Sequence, residues 1–492
     1  MHRKKQIIKD TFKLTFARYC SQGIGFFTSI AMRRFLGPFY IGIWSLLKIT
    51  MDYSTYLLLG VNEGLGYKIP ALMGQNKSEE EERIKDAGFS FVFIISLVTS
   101  IILLISAFVL RKNYPIEVII GIIVLSLYIL LDRICGFYML LLRARKNFSM
   151  LSKAIIFDAA TNLILIFLFV RNFKIYGLYI AVMVLSVLNT VFIHVQAKYK
   201  VNFVLNFKGL GNILKVGFPI TAMGFLDWIL ASADRIMIAK MIGVTYVGFY
   251  SVSIMTKSYI SQLSSFGTVI YPHLIEDFSK KENINDIKKY AIVPPKVNAY
   301  TLPLLLGIIF FSAPVLIKLV LPKFSPGILA IQILLIDMFF RACYPQAIHF
   351  IVALKKQARI LPIMGVAIIL SVVGNYLMIK KGYGIYGVAA TTSTVSFFSF
   401  VAIQTYALKH FARPKEIVLF FVEILAPFVY TMIFVLLLNK IIQIQNLYVG
   451  TLIKISILFI ISLPLLFYIN KKTQVLNLVV GIIKDKIKLK SK

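Results

Sequence analysis

Apolar residues along this chain run in blocks of twenty or more, and the stretches between them hold most of the Lys, Arg, Gly and Pro. A helix needs about 20 apolar residues to cross roughly 30 Å of hydrocarbon. Fourteen such blocks can be set off: residues 12–36, 39–61, 87–110, 115–142, 150–170, 175–197, 213–239, 245–275, 291–320, 326–354, 358–379, 384–408, 416–438 and 447–470. The pattern predicts an all-α polytopic membrane protein. An even number of crossings returns both termini to one side.

The connectors on that side are the basic ones: RARK at 143–146, KKENINDIKK at 280–289, KKQAR at 355–359 and the tail KDKIKLKSK at 484–492. The opposite side has short turns such as RKNYP at 111–115 and KKGYG at 380–384. Lys and Arg gather on the cytoplasmic side of membrane proteins, which puts both termini and residues 67–86, 276–290 and 471–492 in the cytoplasm. The two mixed-charge connectors, 67–86 and 276–290, read as solvated loops too short for a catalytic domain.

One stretch is written twice. RRFLGPFYIGIWSLL at 33–47 and AKMIGVTYVGFYSVS at 239–253 align at an offset of 206, bringing Gly37, Tyr40, Gly42 and Ser45 onto Gly243, Tyr246, Gly248 and Ser251. A second pair, KIYGLYIA at 174–181 and GIYGVAAT at 384–391, aligns at an offset of 210. Six crossings separate the copies, so the repeats are parallel. The expected organisation is two parallel six-helix bundles, residues 1–200 (spans 1–6) and 201–410 (spans 7–12), followed by residues 411–492 with spans 13–14 and a basic tail. Parallel six-helix halves are a transporter architecture, with substrate between them and rocking that exposes it to each side in turn.

Composition agrees with a bilayer setting: 59% of residues are hydrophobic and the mean hydropathy is +0.82. A net charge of +33 on a soluble fold would suggest nucleic acid, but here the charge sits in short connectors. Cys20, Cys135 and Cys343 are scattered through apolar runs, and His194, His273 and His349 are isolated. No phosphate loop of the G-x-x-x-x-G-K-[ST] type, no H-E-x-x-H site and no paired loop carboxylates occur, which argues against an ATP-driven pump, a metal centre or an enzyme.

LGPFYIGIWSLL at 36–47, ADRIMIAKMIGVTYVGFYSVS at 233–253 and GIYGVAATTSTVSFF at 384–398 resemble polysaccharide-type flippases of the multidrug/oligosaccharidyl-lipid/polysaccharide superfamily. The first turn departs from the commoner Gly-Pro-Glu by carrying Phe39. The resemblance, over residues 1 to about 410, implies a flippase. It would carry undecaprenyl-diphosphate-linked oligosaccharide units from the inner to the outer leaflet of a bacterial cytoplasmic membrane by alternating access, for capsule, O-antigen or exopolysaccharide assembly. Its partners would be the lipid-linked substrate, membrane lipids and polysaccharide polymerase machinery. No cofactor is expected, and a proton or sodium gradient is the candidate energy source. A cation-coupled multidrug exporter of the same superfamily is the alternative within this class. A membrane polymerase or glycosyltransferase is the alternative outside it, but it calls for a large extracytoplasmic loop that the connector pattern lacks.

The resemblance also implies that spans 1, 2, 7 and 8 line the cavity. Ionisable groups inside the bilayer are costly and mark cavities, partners or transport paths. Arg18, Lys48, Arg235 and Lys257 are therefore the candidates for binding the diphosphate and sugar, since guanidinium and ammonium both suit phosphate oxygens. Asp52, Asp227, Asp234, Asp337 and Arg341 are the candidates for coupling or charge pairing. Asp337 and Arg341 have the i,i+4 spacing of a helical ion pair, as do Lys48 and Asp52 in reverse order. The adjacent Asp234 and Arg235 point to different sides of one helix, so each calls for a partner elsewhere.

Overall fold

A computed structural model describes residues 2–197, 199–263, 284–354 and 356–473, and within them all regular structure is helical. His273, span 8 beyond Leu263, residues 276–283 of the second loop and the basic tail at 484–492 lie outside the described residues. Ten helical segments are long and apolar enough to cross a bilayer, with Phe148–Ala197 counted as one. The chain is a multi-pass membrane protein. Two long helices fall short of that measure for a physical reason. The first carries Arg18, Arg33, Arg34, Lys48 and Asp52, and the helix at Val244–Leu263 is rich in Ser, Thr and Tyr.

Two compact units divide the chain at Gly248. The first holds α1 (His2–Tyr56), α2 (Val61–Gly74), α3 (Ser78–Leu110), α4 (Ile116–Ala144), α5 (Phe148–Leu165, continued by a π-helical turn at Ile166–Val170), α6 (Arg171–Ala197) and α7 (Leu210–Met241). α8 (Val244–Leu263) begins there. The main packing pairs are α1 with α5, α3 with α4, α4 with α6 and α2 with α7. Leu58, Val61, Leu65 and Ile69 bury against Phe137 and Leu141 of α4 and Ile213 of α7 in one apolar core.

α1 is two helical stretches joined at Gly37, whose φ of 76° an L side chain rarely adopts. Gly243, its equivalent in the repeat, also has positive φ, 129°. The two turns pack on each other reciprocally. A Cβ on Gly42 would lie 2.1 Å from the Val244 carbonyl oxygen, and one on Gly248 would lie 1.9 Å from that of Pro38. Both contacts obey the 206-residue offset. At the second repeat pair, Lys174 (φ 53°) and Gly384 (φ 55°) are likewise both left-handed.

The stretch 67–86 differs from the expected loop. α2 continues to Gly74, three residues turn, and α3 starts at Ser78. Four consecutive Glu look solvated by composition, but Glu79, Glu80 and Glu81 fall in the first turn of α3, where the helix dipole favours negative charge. Arg145 closes on Glu81 Oε1 at 2.8 Å and on Glu82 Oε1 at 2.9 Å. The extended segment after α6 lies along α3. Lys85 Nζ donates to the Lys200 carbonyl at 2.6 Å, the Asn202 amide donates to Asp86 Oδ1 at 3.2 Å, and the Val204 amide donates to Ser90 Oγ at 2.8 Å.

The second unit holds the remainder of α8, α9 (Ile284–Val320), α10 (Ile328–Cys343), α11 (Pro345–Ala353), α12 (Ile360–Lys380), α13 (Gly384–Leu408), α14 (Pro414–Ile441) and α15 (Leu447–Thr473). α13 packs on both α10 and α12, and α9 packs on α10, α14 and α15. Phe339 stacks on Phe428 at 4.1 Å between ring centres, joining α10 to α14. α9 runs as one helix through Pro294, Pro295, Pro303 and Pro314, and α7 as one through Pro219.

Candidate functional site

In the first unit the charged residues of α1, α4 and α7 form one connected cluster. Arg133 donates from Nη2 to Ser54 Oγ at 2.9 Å and Thr55 Oγ1 at 2.8 Å, and from Nη1 to Asp132 Oδ2 at 3.2 Å. It thus places a cation at the C-terminal end of α1, where the helix dipole favours one. Asp52, on the same last turns of α1, sits in the field of Lys48, Arg235 and Arg133. Lys48 itself is exposed.

Hydroxyls join α1 to α7: Tyr53 Oη and Ser232 Oγ are 2.7 Å apart, and Tyr56 Oη donates to the Gly224 carbonyl at 3.0 Å. Both tyrosine rings pack on Phe225. Glu63 Oε2 accepts from Thr221 Oγ1 at 3.2 Å. The carboxylates of Asp227, Asp52 and Glu63 all act on the Tyr56 hydroxyl.

Asp234 and Arg235 are both buried, and they do meet. Asp234 bends back so that Oδ1 accepts the Arg235 amide at 2.7 Å and lies 3.9 Å from Arg235 Nε. Helical spacing keeps adjacent side chains apart only when both extend, and a short carboxylate can return to the next backbone amide. Arg235 also donates to the Ala231 carbonyl at 3.2 Å and lies over the Trp228 ring. Arg235 Nε and Trp228 Nε1 are buried donors without a hydrogen-bond acceptor among the described residues.

Beside this cluster a polar cavity of about 280 Å³ opens within the first unit, lined by Asn62, Tyr128, Asp132, Arg133, Asp158 and Asn189 among others. Tyr128 Oη donates to Asp132 Oδ1 at 3.0 Å, and Asn189 Nδ2 to Asp158 Oδ1 at 2.6 Å. Asp158 was absent from the sequence-derived candidates. Its signal was a single carboxylate inside the apolar run 150–170.

The second unit has its own charged group. Asp337, fully buried on α10, is shared by Lys257 Nζ at 2.6 Å and Arg341 Nε at 3.1 Å, and accepts from Ser396 of α13. A further pair missed in the sequence, Lys296 and Glu423, closes at 2.5 Å between α9 and α14. Arg18 stands apart from the α1–α4–α7 cluster, near the start of the first unit's bundle, and is exposed. His194 Nδ1 is 3.0 Å from Tyr138 Oη. No group of three His, Cys, Asp or Glu able to hold a metal occurs among the described residues.

These arrangements hold cations and carboxylates at low exposure inside helical bundles, ready to exchange partners with a polar or anionic guest. The comparisons with known proteins point the same way. A family model described as "Polysaccharide biosynthesis protein" matches residues 31–324, more than half of the chain. No curated protein matches the chain. Among solved structures, one titled "Lipid II flippase MurJ, inward closed conformation" is similar with a TM-score of 0.73 at 14% identity, covering 93% of this chain and 99% of that one. An inward-facing multidrug resistance MATE family transporter of the MOP superfamily gives 0.68 at 14% identity, covering 78% and 96%. A MOP superfamily transporter from Pyrococcus furiosus Vc1 (DSM3638) gives 0.55 at 14% identity, covering 82% and 95%. At these identities the likeness is one of fold, and the family model supplies membership: the chain belongs to the polysaccharide biosynthesis protein family and is built on the MOP-superfamily transporter fold.

Proposed function

We propose that this protein is a flippase that moves undecaprenyl-diphosphate-linked oligosaccharide repeat units from the inner to the outer leaflet of a bacterial cytoplasmic membrane by alternating access. The observation that carries the reading is the likeness, over 93% of the chain, to a structure whose title names a lipid cargo and its flipping. The family model adds polysaccharide biosynthesis as the setting.

In this reading the chain crosses the membrane fourteen times, with both termini in the cytoplasm and two parallel six-helix repeats. The reciprocal contacts of Gly42 and Gly248, related by one offset, support the duplication. Arg18, Lys48, Arg235 and Lys257 take the anionic end of the cargo. Asp52 competes with the guest for Lys48 and Arg235, and Asp337 competes for Lys257, so that loading the cargo exchanges one anion for another. Such exchange suits transport, because a cation with no resident partner would hold the diphosphate too tightly to release it.

The test is genetic. Deleting the gene and analysing membrane lipids should reveal one diphosphate-linked oligosaccharide accumulating on the cytoplasmic face while its polymer disappears from the cell surface. Unchanged lipid-linked sugars and unchanged surface polymer would remove the basis for the reading.

A further inference from the structure

Two guanidiniums of the first unit lie outside both charged groups described above. Leu14 of α1 packs against a core that includes Tyr138 and Leu142 of α4 and Leu151 of α5. Arg18 follows Leu14 by one helical turn, and Arg143 directly follows Leu142 in the last turn of α4. This packing brings the two arginines onto adjoining faces of α1 and α4, close enough that the Arg18 charge acts on Arg143. Both are exposed.

Among the described residues neither has a hydrogen bond or an ion pair to a carboxylate. The contrast with the other arginines of the bundle is informative. Arg133 closes on Asp132, Arg235 on Asp234, and Arg145, two residues beyond Arg143, on Glu81 and Glu82. Like charges brought together beside apolar surface repel, and the repulsion is relieved when an anion sits between them. Each guanidinium offers a planar fork of donors that matches the oxygens of one phosphate. Two forks on separate helices fit two linked phosphates better than one. The site also lies at the end of α4, not in the middle of its apolar run, so a lipid headgroup reaches it without leaving its leaflet.

We infer that Arg18 and Arg143 together form a diphosphate-binding site on the α1–α4 face, where the headgroup of a lipid-linked substrate docks as it enters from the cytoplasmic leaflet. The identity of the lipid rests on the flippase reading. The phosphate chemistry of the site does not.

The test is equilibrium binding of farnesyl diphosphate to the full chain in phosphatidylcholine nanodiscs. Arg18→Gln and Arg143→Gln should each weaken binding at least about tenfold, the scale of one lost hydrogen-bonded charge. Lysine at either position should restore part of it. Arg143→Glu gives Arg18 a carboxylate partner, so the melting temperature should hold or rise while binding is abolished. That combination separates ligand binding from a structural role. Equal affinity for all variants would overturn the site. Repeating the titration in nanodiscs with equal parts phosphatidylglycerol distinguishes the source of phosphate. If phosphatidylglycerol displaces the probe in an arginine-dependent way, the site belongs to bilayer lipid and the substrate assignment fails. Loss of the flippase reading in the deletion strain, with arginine-dependent diphosphate binding intact, would leave this site standing with a different cargo.

Discussion

Asp337 is the residue on which the charges of the second unit converge. Its i,i+4 relation to Arg341 is written in the sequence. What spacing does not give is Lys257, eighty residues earlier, reaching the other oxygen of the same carboxylate at 2.6 Å. Removing one member of a buried ion pair strands its partner, at a cost of about 3–5 kcal/mol. Asp337→Ala should therefore lower the melting temperature of the purified protein sharply. Lys257→Met in the Asp337→Ala background should cost less than it does alone, because the lysine has already lost its counter-ion. Strict additivity in that double-mutant cycle would show that the two side chains act independently. Asp158 makes the complementary point. One carboxylate in an apolar run is visible in the sequence, yet its value comes from Asn189 on the next helix and from the cavity they share with Asp132.

Among elements, the start of α3 and the turn before α8 depart most from what composition suggests. A run of four Glu reads as solvent-facing, and yet Lys85, three residues on, is 1% exposed, because the segment after α6 lies over it. That segment has no helix of its own to satisfy its amides, so it takes acceptors from Asp86 and Ser90. Ser90→Ala removes the acceptor of the Val204 amide, and hydrogen exchange at Val204 should then speed up about tenfold if local release of the segment is what exposes it. No change there would mean that the segment is held by other contacts. The paired turns are more demanding. A methyl at Gly42 or Gly248 meets a backbone carbonyl that cannot rotate away, so Gly42→Ala and Gly248→Ala should each cost about 1–3 kcal/mol. Thermal unfolding of either variant at the wild-type temperature would contradict the close approach.

Across the whole molecule, the four basic candidates divide by burial. Arg18 and Lys48 are exposed, whereas Arg235 is buried and Lys257 is engaged with Asp337. Arg18→Ala and Lys48→Ala should cut polymer export about tenfold or more, on the scale of a hydrogen bond to a charged group, without loss of protein from the membrane. Arg235→Ala should lower export and also stability, since it removes the partner of a buried Asp234. Wild-type export from all four alanine variants at normal abundance would make these charges structural. Reporter fusions after Gly74 and after Thr473 should both report the cytoplasm. Opposite readings would break the even number of crossings.

What the sequence determined by itself follows from one-dimensional physics. Apolar runs of sufficient length become helices because a bilayer offers backbone amides no other partner, and most of the expected spans, such as 384–408, coincide with helices to within a few residues. The positions of the left-handed turns at Gly37 and Gly243 were also marked, since few residues but glycine enter that region freely. The tertiary structure alone decided which charges share a neighbourhood. Asp52 with Arg133 and Arg235, Lys257 with Asp337, Arg18 with Arg143, and Lys85 beneath the 199–206 segment are all separated by tens of residues or more. An ionisable group in a low-dielectric interior takes its energy from whichever charge lies within a few ångströms, and that distance is set by how helices pack, which no local pattern encodes.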